Sequence, residues 1–163
     1  MYVIFHNQSG VAWSEAETAV RGSQHHLNLI SRAWRGNLPK DVYARAMGSL
    51  VDVLLCLFLR PVLQADDISE AASQFIGSLY RSVQLHCADL FDRNDIIANY
   101  CTSWDRFKTV GDILQMNLTD IQVGLSIGKF VNITAAELSH LILSTFDDSE
   151  KRRNLLHALA AQE

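Results

Sequence analysis

Residues 38–63 read LPKDVYARAMGSLVDVLLCLFLRPVL, and the way this stretch folds decides the rest of the chain. Pro39 stands just ahead of a helical pattern, where a residue without an N–H does no harm. Asp41 adds negative charge to the first turn, where the helix dipole favours it. Val42, Tyr43, Ala46, Met47, Leu50, Leu54, Leu57 and Phe58 recur at helical spacing. From Val53 to Leu59 all seven residues are apolar. A helix that is apolar all round is enclosed by other elements. The run is also far shorter than the ~20 apolar residues that a membrane span needs. The stretch is therefore expected to be the central helix of a bundle, with Leu54 in its dry interior, ending or kinking near Pro61. A buried strand is the competing reading of so short a run. The Ala, Met and Leu content and the long periodic lead-in favour helix.

Working outward, Ser14 and Glu17 have the spacing of a capping box. They introduce a helix to about Trp34, with Ala16, Val20, Leu27, Ile30 and Trp34 along one stripe. Gly36-Asn37 ends it. Asp67 and Glu70 form a second such pair, followed by Ile68, Ala72, Phe75, Leu79, Val83, Cys87 and Leu90 in steps of three and four. Asp92-Arg93-Asn94-Asp95 stops that helix. Residues 96–101 fit either a short extra turn or an extended connection. Ser103 is placed to cap a fourth helix, striped by Phe107, Val110, Leu114, Leu118, Ile121 and Leu125 and terminated at Gly128. Thr134 with Glu137 opens a fifth. Asp147-Asp148-Ser149 breaks it and caps a last helix that buries Leu155, Leu156 and Leu159. No alternating strand pattern competes. The expected fold is all-α, an elongated antiparallel bundle of about six helices, since short connections make consecutive helices neighbours. Residues 1–13 have no period and read as a flexible lead-in. Residues 14–163 read as a single helical-bundle domain.

At 163 residues, 48% of them hydrophobic and 20% charged, the chain is long and apolar enough for one core. A net charge of −4 without a basic block argues against nucleic-acid binding, which relies on phosphate neutralisation. Cys56, Cys87 and Cys101 are odd in number and unpaired in spacing, which suits a reducing compartment. Met1 to Phe5 is too short for a signal core and lacks a basic leader, so a cytoplasmic location without membrane insertion is expected. The sequons at Asn7, Asn117 and Asn132 are then incidental.

The residues that invite a chemical reading have plainer ones. Adjacent helical positions diverge by ~100°, so His25-His26 reads as a solvent-facing pair, and His86-Cys87 does not converge either. His140 follows Glu137 at ligand spacing, but no second Glu-x-x-His exists to build a di-metal site. Gly124 to Phe130 has too short a glycine spacing for a phosphate loop, lacks Ser or Thr after Lys129, and follows a helix. No nucleophile elbow organises the Ser, His and Asp residues. Trp13, Trp34 and Trp104 read as packing residues. Lys151-Arg152-Arg153 reads as a solvated first turn, with an acid such as Asp147 available to offset the unfavourable dipole. No catalytic residue, metal or cofactor is expected, and the chain is expected not to be an enzyme.

LPKDVYARAMGSL resembles a segment of the Zeste-white ten family, whose members are centromere/kinetochore and vesicle-tethering subunits. The matching positions are Leu38, Pro39, Val42, Tyr43, Ala46, Met47, Gly48, Ser49 and Leu50. RFKTVGDILQMNLTDI and ELSHLILSTFDDSEKRRNLLHAL resemble later stretches of the same family, in the same order. The resemblance runs from about Ser14 to Glu163 and corresponds to the C-terminal end of a much longer subunit. It implies a rod-like helical bundle and a non-enzymatic scaffold shared by two assemblies. One is the Rod–Zwilch–Zeste-white complex at kinetochores, which recruits dynein and its dynactin partner for the spindle checkpoint. The other is the endoplasmic-reticulum tether for vesicles returning from the Golgi, acting with SNARE proteins. The resemblance further implies that this end docks on the large Rod-type solenoid subunit or its tethering counterpart. Peripheral localisation at the endoplasmic reticulum, and at kinetochores during mitosis, follows from the same likeness.

On the terminal helix, ~100° per residue places Glu150, Arg153, Asn154 and His157 opposite the three leucines. This outward stripe is the candidate partner-binding surface, against the plainer reading of a solvated face. Two other classes compete: a small-molecule-binding or catalytic helical bundle, and a truncated product that folds but completes neither complex.

Overall fold

The computed structural model describes residues 10–91 and 94–161. These form eight helices, and no strand is present among them: α1 (Gly10–Arg35), α2 (Lys40–Leu63), α3 (Glu70–Asp89), α4 (Asn94–Tyr100), α5 (Trp104–Ile113), α6 (Leu118–Ser126), α7 (Ala135–Thr145) and α8 (Glu150–Ala160). The all-α bundle is as expected. The extra helices arise at two places. Residues 96–100 fall within the helix α4, and Cys101 follows it. The expected fourth helix is two, because Asn117 takes an extended conformation and its side chain accepts from the amides of Thr119 and Asp120 at 2.8 and 3.0 Å. Asn is among the best N-cap residues. The apolar period carries across the break and conceals it.

α2 is the hub. It packs against α1, α4, α5 and α7, and its inward face of Tyr43, Met47, Gly48, Val51, Leu55, Leu59 and Val62 is buried. The helix continues through Pro61 and ends two residues later. It is not, however, enclosed on every side. Leu54 is only partly buried, and Val53 and Leu57 are each 60% exposed. With 24 residues α2 is apolar and long enough to cross a bilayer by length and composition, which the seven-residue run alone did not suggest. Its packed face belongs to the bundle core.

The directions follow from side-chain pairs. Ser31 bonds Tyr43 across α1 and α2, which therefore run antiparallel. Trp13 stacks on Phe75 with centroids 4.7 Å apart, Gln24 reaches Ser82 and Arg35 reaches Asp89, so α1 and α3 run parallel. Ser73 bonds the Leu114 carbonyl and Tyr80 stacks on Phe107 at 4.1 Å, making α3 and α5 antiparallel.

Two of the three expected capping boxes do not form. α1 begins at Gly10, so 10–13 of the expected lead-in are helical, while 1–9 lie outside the described residues together with the Asn7 sequon. Packing of Ala12 and of the Trp13 ring carries the helix past Ser14. Ser14 offers only its carbonyl, to Thr18, and Glu17 pairs with Arg21 one turn on. At α3 the cap is Ser69, whose hydroxyl accepts from the Ala72 amide, rather than Asp67. Ile68 is buried and its amide donates to the Ser144 carbonyl at 2.7 Å, which fixes the entry to the helix. The third box is present: Thr134 accepts from the Glu137 amide while Glu137 accepts from that of Thr134. Ser149 caps α8 as expected. Gly128, at φ +69°, ends α6, and the Lys129 amide closes back on the Gly124 carbonyl. That is a helix terminus, not a phosphate loop.

Candidate partner-binding surfaces

The motif residues of α2 have structural work. The Tyr43 hydroxyl meets Ser31 at 2.7 Å, the Arg35 Nε at 3.2 Å and the Leu90 carbonyl at 2.8 Å. Arg35 donates to the same carbonyl. This buried network ties the end of α1 and the start of α2 to the end of α3. Met47 is wholly buried. Gly48 faces the Tyr100 backbone with no room for a side chain.

Asp52 was not singled out by the sequence. It precedes the apolar run, and a lone acid in such company is itself a sign of a buried polar partner. Its carboxylate accepts from the Ser103 amide at 2.7 Å, the Thr102 hydroxyl at 3.1 Å and the Cys101 thiol at 3.4 Å. α2 thus caps the start of α5, where the Ser103 side chain makes no cap bond. Burial pushes the Asp52 carboxyl upward, but the bonds from Ser103, Cys101 and Thr102 outweigh it and hold the group below its ordinary 3.8. A carboxyl lowered on folding stabilises the fold above its unfolded pKa, and that contribution disappears as pH falls through the lower folded value. Asp52→Ala should cost about 1 kcal/mol at neutral pH, as for a lost N-cap. Thermal melts of both proteins should converge as pH falls through and below the ordinary carboxylate range. A constant gap across the titration would remove the charge from the explanation.

The cysteines are free, and among the described residues no group of three His, Cys, Asp or Glu side chains is placed to hold a metal. Burial raises the Cys87 thiol to about 12. Burial and Asp52 raise that of Cys101 as well. Neither is a ready nucleophile. His25 and His26 are both exposed. A cavity of about 620 Å³ opens between the start of α3, the α5–α6 turn and the α7–α8 junction. Arg152, the one Lys or Arg in its lining, is already engaged with the Phe146 carbonyl and Asp148.

Arg152 is not the solvated side chain that the basic run suggested; it is 17% exposed. It donates to the Phe146 and Leu143 carbonyls at the end of α7 and pairs with Asp148. The offsetting acid is therefore Asp148, not Asp147. Arg153 meets the same carboxylate at 2.8 Å, and Lys151 reaches Thr119. Together with Arg106, which pairs with Glu137 across α5 and α7, these contacts fasten the C-terminal helices. Leu155 and Leu159 are buried and Leu156 partly so, while Glu150, Arg153, Asn154 and His157 all stand exposed. The four share the outer side of α8. Sequence reasoning did not find a second exposed surface, an apolar groove between α1 and α2. It is lined by Ala19, Gly22 and His26 on one side and Leu50, Val53 and Leu57 on the other.

Comparison with known proteins places this arrangement. The centromere/kinetochore protein zw10 homologs of Rattus norvegicus and Mus musculus are each 28% identical over 153 residues, covering 86% of this chain and 20% of the relative. The Caenorhabditis elegans homolog is 24% identical over 140 residues, covering 82% and 18%. The chain thus spans about a fifth of the length of these relatives. The family model of the ZW10 C-terminal helical domain matches residues 18–159, which takes in all of α2 to α7 and most of α1 and α8, and the chain belongs to that family.

Proposed function

We propose that this chain is a non-catalytic docking module of a kinetochore scaffold and of the corresponding Golgi-to-endoplasmic-reticulum vesicle tether. The family match over residues 18–159 carries this reading. The module binds a large Rod-type solenoid subunit, or its tethering counterpart, and through it connects indirectly to dynein/dynactin and SNARE proteins. It works in the cytoplasm, peripheral to the endoplasmic reticulum, and at kinetochores in mitosis. The described residues support a scaffold role in one further respect. Tyr43, Asp52 and Arg152 each tie one helix to the end of another, which gives the bundle the rigidity a scaffold uses.

The outer stripe of α8 contributes to docking. Its residues are carried on a helix anchored at both faces of its first turn, by the Ser149 cap and by Arg152. Arg153 is a suitable interface anchor, and its pairing with Asp148 is exposed on both sides and so is easily exchanged for a partner carboxylate. Replacing Arg153 and His157 together with Glu should leave helicity unchanged, cost less than about 1 kcal/mol of stability for the exposed Asp148 pair, and weaken capture of the purified solenoid subunit about tenfold. Unchanged capture would move the docking surface off α8.

A further inference from the structure

The groove between α1 and α2 is an apolar feature that the docking stripe leaves unused. Leu50, Leu54 and Ile30 form its partly buried floor. Val53 and Leu57, each 60% exposed, rise from the α2 side. The α1 side is low where Ala19, Gly22 and Ser23 build it, with the exposed His26 the one large side chain standing on it. A tall apolar ridge therefore runs beside a shallow small-residue one, on helices of opposite direction.

We propose that two copies of this chain associate through this face, about a two-fold axis lying along the groove. Such an axis sets the tall α2 ridge of each copy over the shallow α1 ridge of the other, at the same height along the helices. An isologous contact has to be self-complementary in this sense. Charge follows shape. Counting ~100° per residue, the positions turned toward the groove carry no charged side chain from Thr18 to Ala33, His26 aside, nor from Val42 to Leu57. The first charges beyond are Glu15 on α1 and Arg60 on α2, both exposed. The antiparallel register set by the Ser31–Tyr43 contact, counted back 16 residues on α1 and forward 17 on α2, brings Glu15 about level with Arg60. Under the two-fold, Glu15 of each copy meets Arg60 of the other, twice over. The face also has about the right size. From Val42 to Arg60 it is ~28 Å long at ~1.5 Å per residue, and two helices side by side are ~20 Å wide. The projected area is roughly 600 Å², and the ridges add to it, against the ~800 Å² per partner of an ordinary stable interface. A dimer of micromolar strength is expected.

Sedimentation equilibrium across a micromolar concentration series tests this without any other protein. The wild-type chain should approach a two-chain mass as concentration rises. Val53→Glu with Leu57→Glu, both at exposed sites, should keep the wild-type helicity and melt yet weaken association at least tenfold. Glu15→Arg alone should weaken it roughly two- to fivefold, as for a rim pair, and adding Arg60→Glu should restore it. A single-chain mass at every concentration would overturn the proposal. So would a dimer that survives the Val53/Leu57 pair of substitutions, since the contact would then lie elsewhere. If the groove instead holds another protein's helix, the wild-type chain alone stays monomeric, which is the first of these refuting results.

Discussion

Leu55→Asp is expected to abolish the folded state, and Leu57→Asp, two residues along the same helix, to leave it intact. Leu55 is wholly buried at the centre of α2, among the elements that this helix holds together. Losing a buried leucine costs about 2–5 kcal/mol, and an unpaired charge in the same place adds several more. Domains of this kind have only about 5–15 kcal/mol in hand. The variant should be insoluble, or should keep helical circular dichroism while losing its cooperative melt. Leu57 is 60% exposed, and a surface substitution there should change stability by less than about 1 kcal/mol. Leu54, which lies inside the apolar run yet at the groove floor, should fall between the two. Thermal and urea unfolding of the three variants reads the result. A cooperative melt of Leu55→Asp near the parent temperature would remove α2 from the centre of the core.

Gly48→Ala should also destabilise, against the sign of helix propensity. In an open helix interior, Ala in place of Gly gains about 1 kcal/mol. At Gly48 an added Cβ would stand 2.4 Å from the Tyr100 Cβ and 2.7 Å from the Tyr100 carbonyl oxygen. Backbone cannot swing aside as a long side chain does, so α4 has to move. Overpacking of this kind costs about 1–3 kcal/mol, and Gly48→Val should cost more. α4 is short and joins α5 at Cys101, so its displacement also strains the Asp52 cap. A drop in urea midpoint with an unchanged slope is the expected signature. An increase would show that α2 and α4 do not approach so closely.

The helical fold was legible because burial obeys the 3.6 period. Met47, Phe107, Ile121, Leu138 and Leu141 lie in the core where periodicity puts them, whereas on α2 the buried Leu55 falls off the expected stripe and Leu57, on it, is exposed. Caps that use only neighbouring residues were legible too, as at Thr134, Ser149 and Gly128. Part of what escaped depends on partners distant in sequence, although the Ser69 and Asn117 caps are local. Ser14 has the chemistry of a cap, but the Trp13–Phe75 stack holds the turn ahead of it in the helix. Asn117 ends one helix and caps the next without interrupting the apolar stripe. The run from Val53 to Leu59 shows that α2 is apolar on every side, yet not which sides find neighbours. Val53 and Leu57 stay exposed because no element among the described residues covers them. Of the candidate surface, the outward direction of Glu150, Arg153, Asn154 and His157 follows from helix geometry alone. The apolar groove does not, because two helices from different parts of the sequence make it.

The docking assignment is tested most directly with purified components. The wild-type chain, its cooperative melt confirmed, would be mixed with the purified Rod-type solenoid subunit and run by size exclusion with light scattering. Co-elution as a stable stoichiometric complex is the expected result. A well-folded chain that elutes apart from the solenoid subunit, at concentrations well above micromolar, would contradict it.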